Sequence, residues 1–162
     1  MTGRAQQEDH AIHLIFAANR WEAINDISAD LARGITIIVD RYSYSGAVYS
    51  AAKDNPNLSL EWAWAQEVGL PKPDLSLFLH ISPQEAEKRG GYGDERYETN
   101  EMQSRVRQLF EELFGRLGDS TVKTIDAGRS MDAVTNDIRS QVLDCLSRIK
   151  EAGPLLKLSS LD

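Results

Sequence analysis

The chain has 162 residues, with 18 Lys and Arg against 25 Asp and Glu and a formal net charge of -7. That length suits one domain, and 41% hydrophobic with 27% charged residues excludes wholesale disorder. No apolar run reaches the ~18–20 residues that span a bilayer, and a pI near 5.0 disfavours a general nucleic-acid or anionic-membrane binder. A lone cysteine, Cys145, excludes an internal disulfide and a Cys-rich zinc site.

In chain order, Ile12, Ile15, Phe16, Ile24, Ile27 and Leu31 recur at helical steps from Glu8 to Arg33, with a break expected near Asn19 to Glu22 and Gly34 closing the segment. Ile35 to Val39 is β-branched and nearly all apolar, which predicts a strand buried on both faces. A helix is expected over about Tyr44 to Lys53, and Ser59 caps another that stops at Gly69. The prolines of Leu70-Pro-Lys-Pro-Asp74 forbid regular structure there, and Leu75 to Ile81 reads as a second strand. Ser82-Pro-Gln-Glu85 has the pattern of a capping box. Asn100 to Leu117 is helical in period, Thr121 to Ile125 is a third strand, and Ser130 caps a last helix from Met131 to about Lys150. The expected organisation is a single domain over residues 1–150, then a loose tail over 151–162 beginning near Gly153-Pro154. Alternating buried strands and helices imply an α/β fold, a parallel sheet with helices on both faces.

Open α/β sheets bind ligands beyond the carboxyl ends of their strands, and Asp40-Arg41 directly follows the Ile35 to Val39 run. A guanidinium there matches phosphate oxygens, and a carboxylate could hold Mg²⁺ through water; a plain strand-end ion pair is the alternative. Gly90-Gly-Tyr-Gly93 before Arg96 could form a hinged lid that swings an arginine onto a phosphoryl group, or a plain solvated connection. Phe16 and Arg20 lie one helical turn apart, so a ring and a donor fork share a face, although core packing and a surface charge are the default for such a pair. Trp21, Trp62 and Trp64 read as packing residues. His10, His13 and His80 lack metal-ligand spacing, and Cys145 lies on an apolar stripe, buried and inert. There is neither a G-x-S-x-G elbow nor a G-x-x-x-x-G-K-[ST] phosphate loop in these residues.

Four stretches nevertheless stand in one order and spacing: His13-Leu-Ile-Phe-Ala-Ala-Asn-Arg-Trp-Glu22, Val39-Asp-Arg-Tyr-Ser-Tyr-Ser-Gly46, Gly69-Leu-Pro-Lys-Pro-Asp74 and Arg89-Gly-Gly-Tyr-Gly-Asp-Glu-Arg-Tyr-Glu98. In them the chain resembles the thymidylate kinases of eukaryotic type, P-loop nucleoside monophosphate kinases, from about Asp9 to Leu146. The resemblance implies transfer of the γ-phosphoryl of ATP to dTMP, giving dTDP for dTTP synthesis, with ATP and Mg²⁺ as donor and cofactor. It implies a homodimer with no nucleic-acid or membrane partner, in the cytoplasm and also the nucleus.

By position, Phe16 resembles the ring that stacks on thymine and Arg20 the arginine that reads the base edge. Arg41 falls on the dTMP phosphate and Asp40 near the metal and reacting phosphates. Ser45 and Gly46 continue the monophosphate site, and Tyr49 lies beside the deoxyribose. Tyr97 and Gln103 resemble nucleotide-site residues after the lid, which itself carries the catalytic Arg96. Arg89, Ala127 and Arg129 resemble the adenine side. The family's opening strand and phosphate loop have no counterpart in these residues, so the expectation is an N-terminally incomplete member of the fold, with impaired turnover in this chain. A non-catalytic dTMP-binding remnant and one half of a split kinase are the alternatives.

Overall fold

A computed structural model describes residues 8–53, 55–88, 100–149 and 154–161. The chain divides into two compact units. One comprises the chain to Lys72 with Ser104–Leu117 and Leu155–Asp162, and the other Pro73–Gln103 with Gly118–Pro154.

The first unit is helical. In α1 (Asp9–Glu22) the Glu8 carboxylate caps the start by accepting from the Ala11 amide at 3.1 Å. The helix ends at Ala23, which also begins α2 (Ile24–Ala32), so the long periodic segment breaks one residue beyond the expected stretch. α3 (Ser43–Ala51) lies against α1 and against α4 (Leu60–Ala65), whose cap is the Ser59 hydroxyl accepting from the Trp62 amide. Small residues let these helices approach, since Ala47, Ala52 and Ala63 have no exposed surface. Larger side chains fill the remaining space: Trp64 is buried, its ring 5.5 Å from that of Tyr44. Tyr44 in turn meets Phe114 of α6 (Asn100–Leu117) at 5.8 Å. Offset and edge contacts of this kind add to the burial of large rings. Trp62 is half-buried against His10 and His13, whereas Trp21 is 44% exposed and fixed by its indole N–H donating to the Gln66 carbonyl at 2.9 Å.

The segment expected to be a loose tail is docked. Pro71 and Lys157 form an antiparallel bridge, and Leu158 donates to the Leu70 carbonyl at 2.9 Å while its own carbonyl accepts from Gly69 at 3.0 Å. Leu158 is buried, and the Trp64 indole donates to the Ser159 carbonyl. With Pro71 and Pro73 lacking donors, the Gly69 and Lys72 amides, donating to the Leu158 and Leu156 carbonyls, and the Leu70 carbonyl hold this strip of chain.

The second unit contains β1 (Ser76–His80) and β2 (Val122–Asp126), paired in parallel from Ser76↔Val122 to His80↔Asp126. α5 (Pro83–Lys88) starts as expected, with the Ser82 hydroxyl accepting from the Glu85 amide. α7 (Met131–Arg148), capped by Ser130, packs on β2, and Cys145 is buried near the Asp74 carbonyl. The α/β class with a parallel sheet holds.

The third expected strand does not form among the described residues. Ile35 to Val39 has no ladder partner, and Ile38 is 94% exposed. β-branched composition favours extended backbone locally, but a strand exists only where a neighbour supplies donors and acceptors. Among the described residues none does.

Candidate functional site

Of the predicted site residues, Phe16, Arg20, Asp40, Arg41, Ser45, Gly46 and Tyr49 fall in the first unit, on α1, the connection before α3, and α3 itself. Gln103, Ala127 and Arg129 fall in the second. Arg89, Arg96 and Tyr97 lie outside the described residues.

Phe16 is 59% exposed, so its ring is open for stacking and is not a core residue. One turn on, Arg20 occupies the last turn of α1, where a cation opposes the negative helix end. Arg20 is no surface charge. Its side chain is 14% exposed and grips Glu67 with both arms of a fork, Nε donating to Oε2 at 2.7 Å and Nη2 donating to Oε1. Glu67 is wholly buried. Such a paired, charge-assisted fork is the strong form of the hydrogen bond.

His13 lies beneath that carboxylate. Its Nε2 is 2.9 Å from the Ala63 carbonyl, which can only accept, so Nε2 carries the proton and Nδ1 accepts from the Ser50 hydroxyl at 2.8 Å. Burial holds this imidazole below its ordinary value, against the pull of Glu67. The ring is therefore neutral, and its 3.7 Å approach to Glu67 Oε1 is not an ion pair.

Gly46 closes the other side. A Cβ there would sit 2.8 Å from Arg20 Nη2 and 3.1 Å from Cζ, so only glycine admits the guanidinium this near α3.

Arg41 has a left-handed backbone, φ 62, the one described non-glycine residue with positive φ. A side chain in that region costs of order 1 kcal/mol or more and persists where surrounding structure holds it. Its guanidinium carbon lies 5.3 Å from the Tyr49 ring centroid, a cation–π contact that aims the charge along α3. Behind it, the Tyr42 hydroxyl donates to the Pro71 carbonyl, and burial pushes its phenol up from the usual value. Asp40 is exposed. Among the described residues no three His, Cys, Asp or Glu side chains converge as a metal cage. A single exposed carboxylate still fits Mg²⁺, which keeps most of its waters and takes one or two carboxylates beside substrate phosphates.

In the second unit, the loop after β2 is shaped by the Asp126 carboxylate accepting from the Gly128 amide at 2.9 Å. Ala127 is buried, and Arg129 is tied to Asp137 with Asp126 beside it. Arg129 thus braces the loop through its acidic neighbours. Elsewhere, a cleft of about 350 Å³ is lined by Glu61, Trp64, Ala65, Val68, Ser160 and Leu161, and none of the predicted site residues lines it.

Sequence reasoning missed Glu67, His13 and Ser50. One signal was available for Glu67, an acidic residue just past the end of α4, where the helix dipole disfavours negative charge unless a cation answers it.

The first unit presents an open ring, a clamped arginine and a strained arginine, and the second holds a parallel strand pair with helices; these are features of a nucleotide-handling α/β protein. The family model for thymidylate kinase matches residues 1–138. Thymidylate kinase of Arabidopsis thaliana is 46% identical over 160 residues, covering 99% of this chain and 58% of that protein. The Homo sapiens thymidylate kinase is 45% identical over 138 residues, 84% of this chain and 63% of that one. Among solved structures, thymidylate kinase from Candida albicans superposes with a TM-score of 0.82 at 34% identity, covering 95% of this chain and 75% of that chain. The chain belongs to the thymidylate kinase family, with the α/β fold of the P-loop nucleoside monophosphate kinases. It spans about three-fifths of the length of these two relatives.

Proposed function

We propose that this chain carries the acceptor side of a dTMP kinase, binding dTMP for transfer of the ATP γ-phosphoryl to its 5′-phosphate. The observation that carries the reading is the open Phe16 ring one helical turn from an Arg20 guanidinium clamped by Glu67. The ring stacks on thymine, and the guanidinium donates to a base carbonyl. Arg41, aimed by Tyr49, neutralises the 5′-phosphate, with Ser45 and Gly46 at its flank and Tyr49 beside the sugar. Gln103 and Tyr97 complete the nucleotide contacts. Ala127 and Arg129, with Arg89, form the adenine wall, and Arg96 answers charge on the transferring group. Asp40 would hold Mg²⁺ through water, and the ion would supply neutralisation of phosphate charge. In phosphoryl transfer the protein contributes positioning and electrostatics more than covalent chemistry. A homodimer packed through its helices belongs to the same reading, and exposed Leu14 and Ile15 on α1 support it.

The test is calorimetric titration of the 162-residue chain with dTMP, beside a coupled assay for ADP release. Saturable dTMP binding that Arg41→Ala abolishes is expected, without measurable turnover by this polypeptide alone, since it contains no G-x-x-x-x-G-K-[ST] loop. Unchanged affinity in Arg41→Ala removes Arg41 from the site, and a substantial rate refutes the impairment.

A further inference from the structure

Net stability does not explain the buried pair between Arg20 and Glu67. Desolvating two charges costs about as much as their attraction returns, so a hydrophobic pair of similar volume would serve the fold as well. What the pair does provide is a guanidinium with one orientation. Glu67 takes the Nε proton and one Nη2 proton, and Nη1 makes no hydrogen bond among the described residues. The carboxylate cannot drift, being wholly buried with the His13 ring 3.7 Å away and that ring tied to Ser50 and Ala63. Gly46 shuts the side on which the guanidinium could otherwise rotate.

We propose that Glu67 is a positioning residue that sets base selection: by fixing the Arg20 fork it leaves an edge made only of N–H donors facing the nucleotide site. This rests on the reading of Arg20 as the residue facing the base. An edge of donors matches a pyrimidine with a ring carbonyl at its outer edge. It opposes one with an exocyclic amine there, because two donors then meet with nothing to accept between them. A freely turning arginine could rotate away from such a clash. A clamped one cannot, so discrimination resides in the clamp as much as in the arginine.

The test uses the full chain in five forms: wild type, Glu67→Gln, Glu67→Asp, Arg20→Ala and the Glu67→Gln/Arg20→Ala double variant, each titrated with dTMP and dCMP and each melted. Glu67→Gln keeps the volume but sets an amide N–H₂ against the guanidinium. It should weaken dTMP binding roughly tenfold while leaving dCMP nearly unchanged, collapsing the ratio between them. Glu67→Asp, which keeps the carboxylate, should recover most of the ratio, and it also serves if Glu67→Gln fails to fold. In the Arg20→Ala background Glu67→Gln should change dTMP affinity less than twofold, because its effect passes through Arg20. An equal loss in both backgrounds, or an unchanged ratio in Glu67→Gln, overturns the proposal.

A second readout separates it from the functional reading. In a ¹⁵N spectrum the Arg20 Nε–H should exchange slowly with water in wild type and rapidly in Glu67→Gln at the same melting temperature. If wild type does not bind dTMP, the functional reading fails and this exchange rate alone judges the clamp. An Arg20 Nε–H that exchanges like a surface arginine in wild type overturns it.

Discussion

Gly46→Ala separates two opposing effects whose sizes can be worked from the structure. Gly46 lies within α3, and replacing a helical glycine by alanine ordinarily stabilises by about 1 kcal/mol. Here the added methyl lands 2.8 Å from Arg20 Nη2 and 3.1 Å from both Cζ and Nη1. Restoring ordinary contact near 3.5 Å requires the guanidinium to move by about 0.7 Å. The Arg20 Nε to Glu67 bond is 2.7 Å long, and such a displacement takes it out of the strong hydrogen-bonding range or bends it. Overpacking costs about 1–3 kcal/mol, and weakening a hydrogen bond between charged groups about 1.5–3 kcal/mol. The far end of an arginine can yield, so these costs are incurred in part, and a net loss of about 1–2 kcal/mol follows. For a chain of 162 residues that lowers the melting temperature by roughly 2–8 °C, measured by circular dichroism. Affinity for dTMP should fall in the same protein, because the displaced guanidinium is the group read as facing the base. A midpoint that rises by a few degrees with dTMP affinity intact would show helix propensity acting alone, and would refute the close approach of Arg20 to α3.

Arg41→Gly and Arg41→Ala both remove the phosphate contact, but only glycine relieves the left-handed backbone, so the glycine variant should be more stable than the alanine variant by about 1 kcal/mol in urea melts. Leu158→Ala should cost about 2–4 kcal/mol, because this leucine is buried where a solvated tail would make the substitution neutral. His13 bears on stability in acid. Its folded value is depressed by burial, so above ~6.5 neither state is protonated and stability is full. As the pH falls below ~6.5 the unfolded chain binds a proton that the folded ring refuses, at up to ~1.4 kcal/mol per pH unit. His13→Gln should flatten the fall in stability between pH 6.5 and 5, and an unchanged slope would mean that the ring titrates freely.

The helices were legible because their signals are local. Three- and four-residue spacing marked α1, α6 and α7, and Ser59, Ser82 and Ser130 announced helix starts within a few residues of themselves. The paired strands β1 and β2 showed as short apolar runs, and the family showed through stretches of fixed order. Gly46 is also the opening through which Arg20 reaches α3, a role that no local signal marks.

Periodicity, caps and short motifs, all local in sequence, determined the α/β class, most helix starts and the family, although the helix expected to stop at Gly69 ends at Ala65. The tertiary structure decided the rest. Ile35 to Val39 has the residues of a strand, yet whether it becomes one depends on partners elsewhere, and none stands beside it among the described residues. The last residues look like a tail, and the Gly69 and Lys72 amides with the Leu70 carbonyl draw them in. Glu67 and Arg20, 47 positions apart, show by sequence as two ordinary charges. Only folding, which strips the water from a carboxylate and so demands a cation within reach, makes them one device.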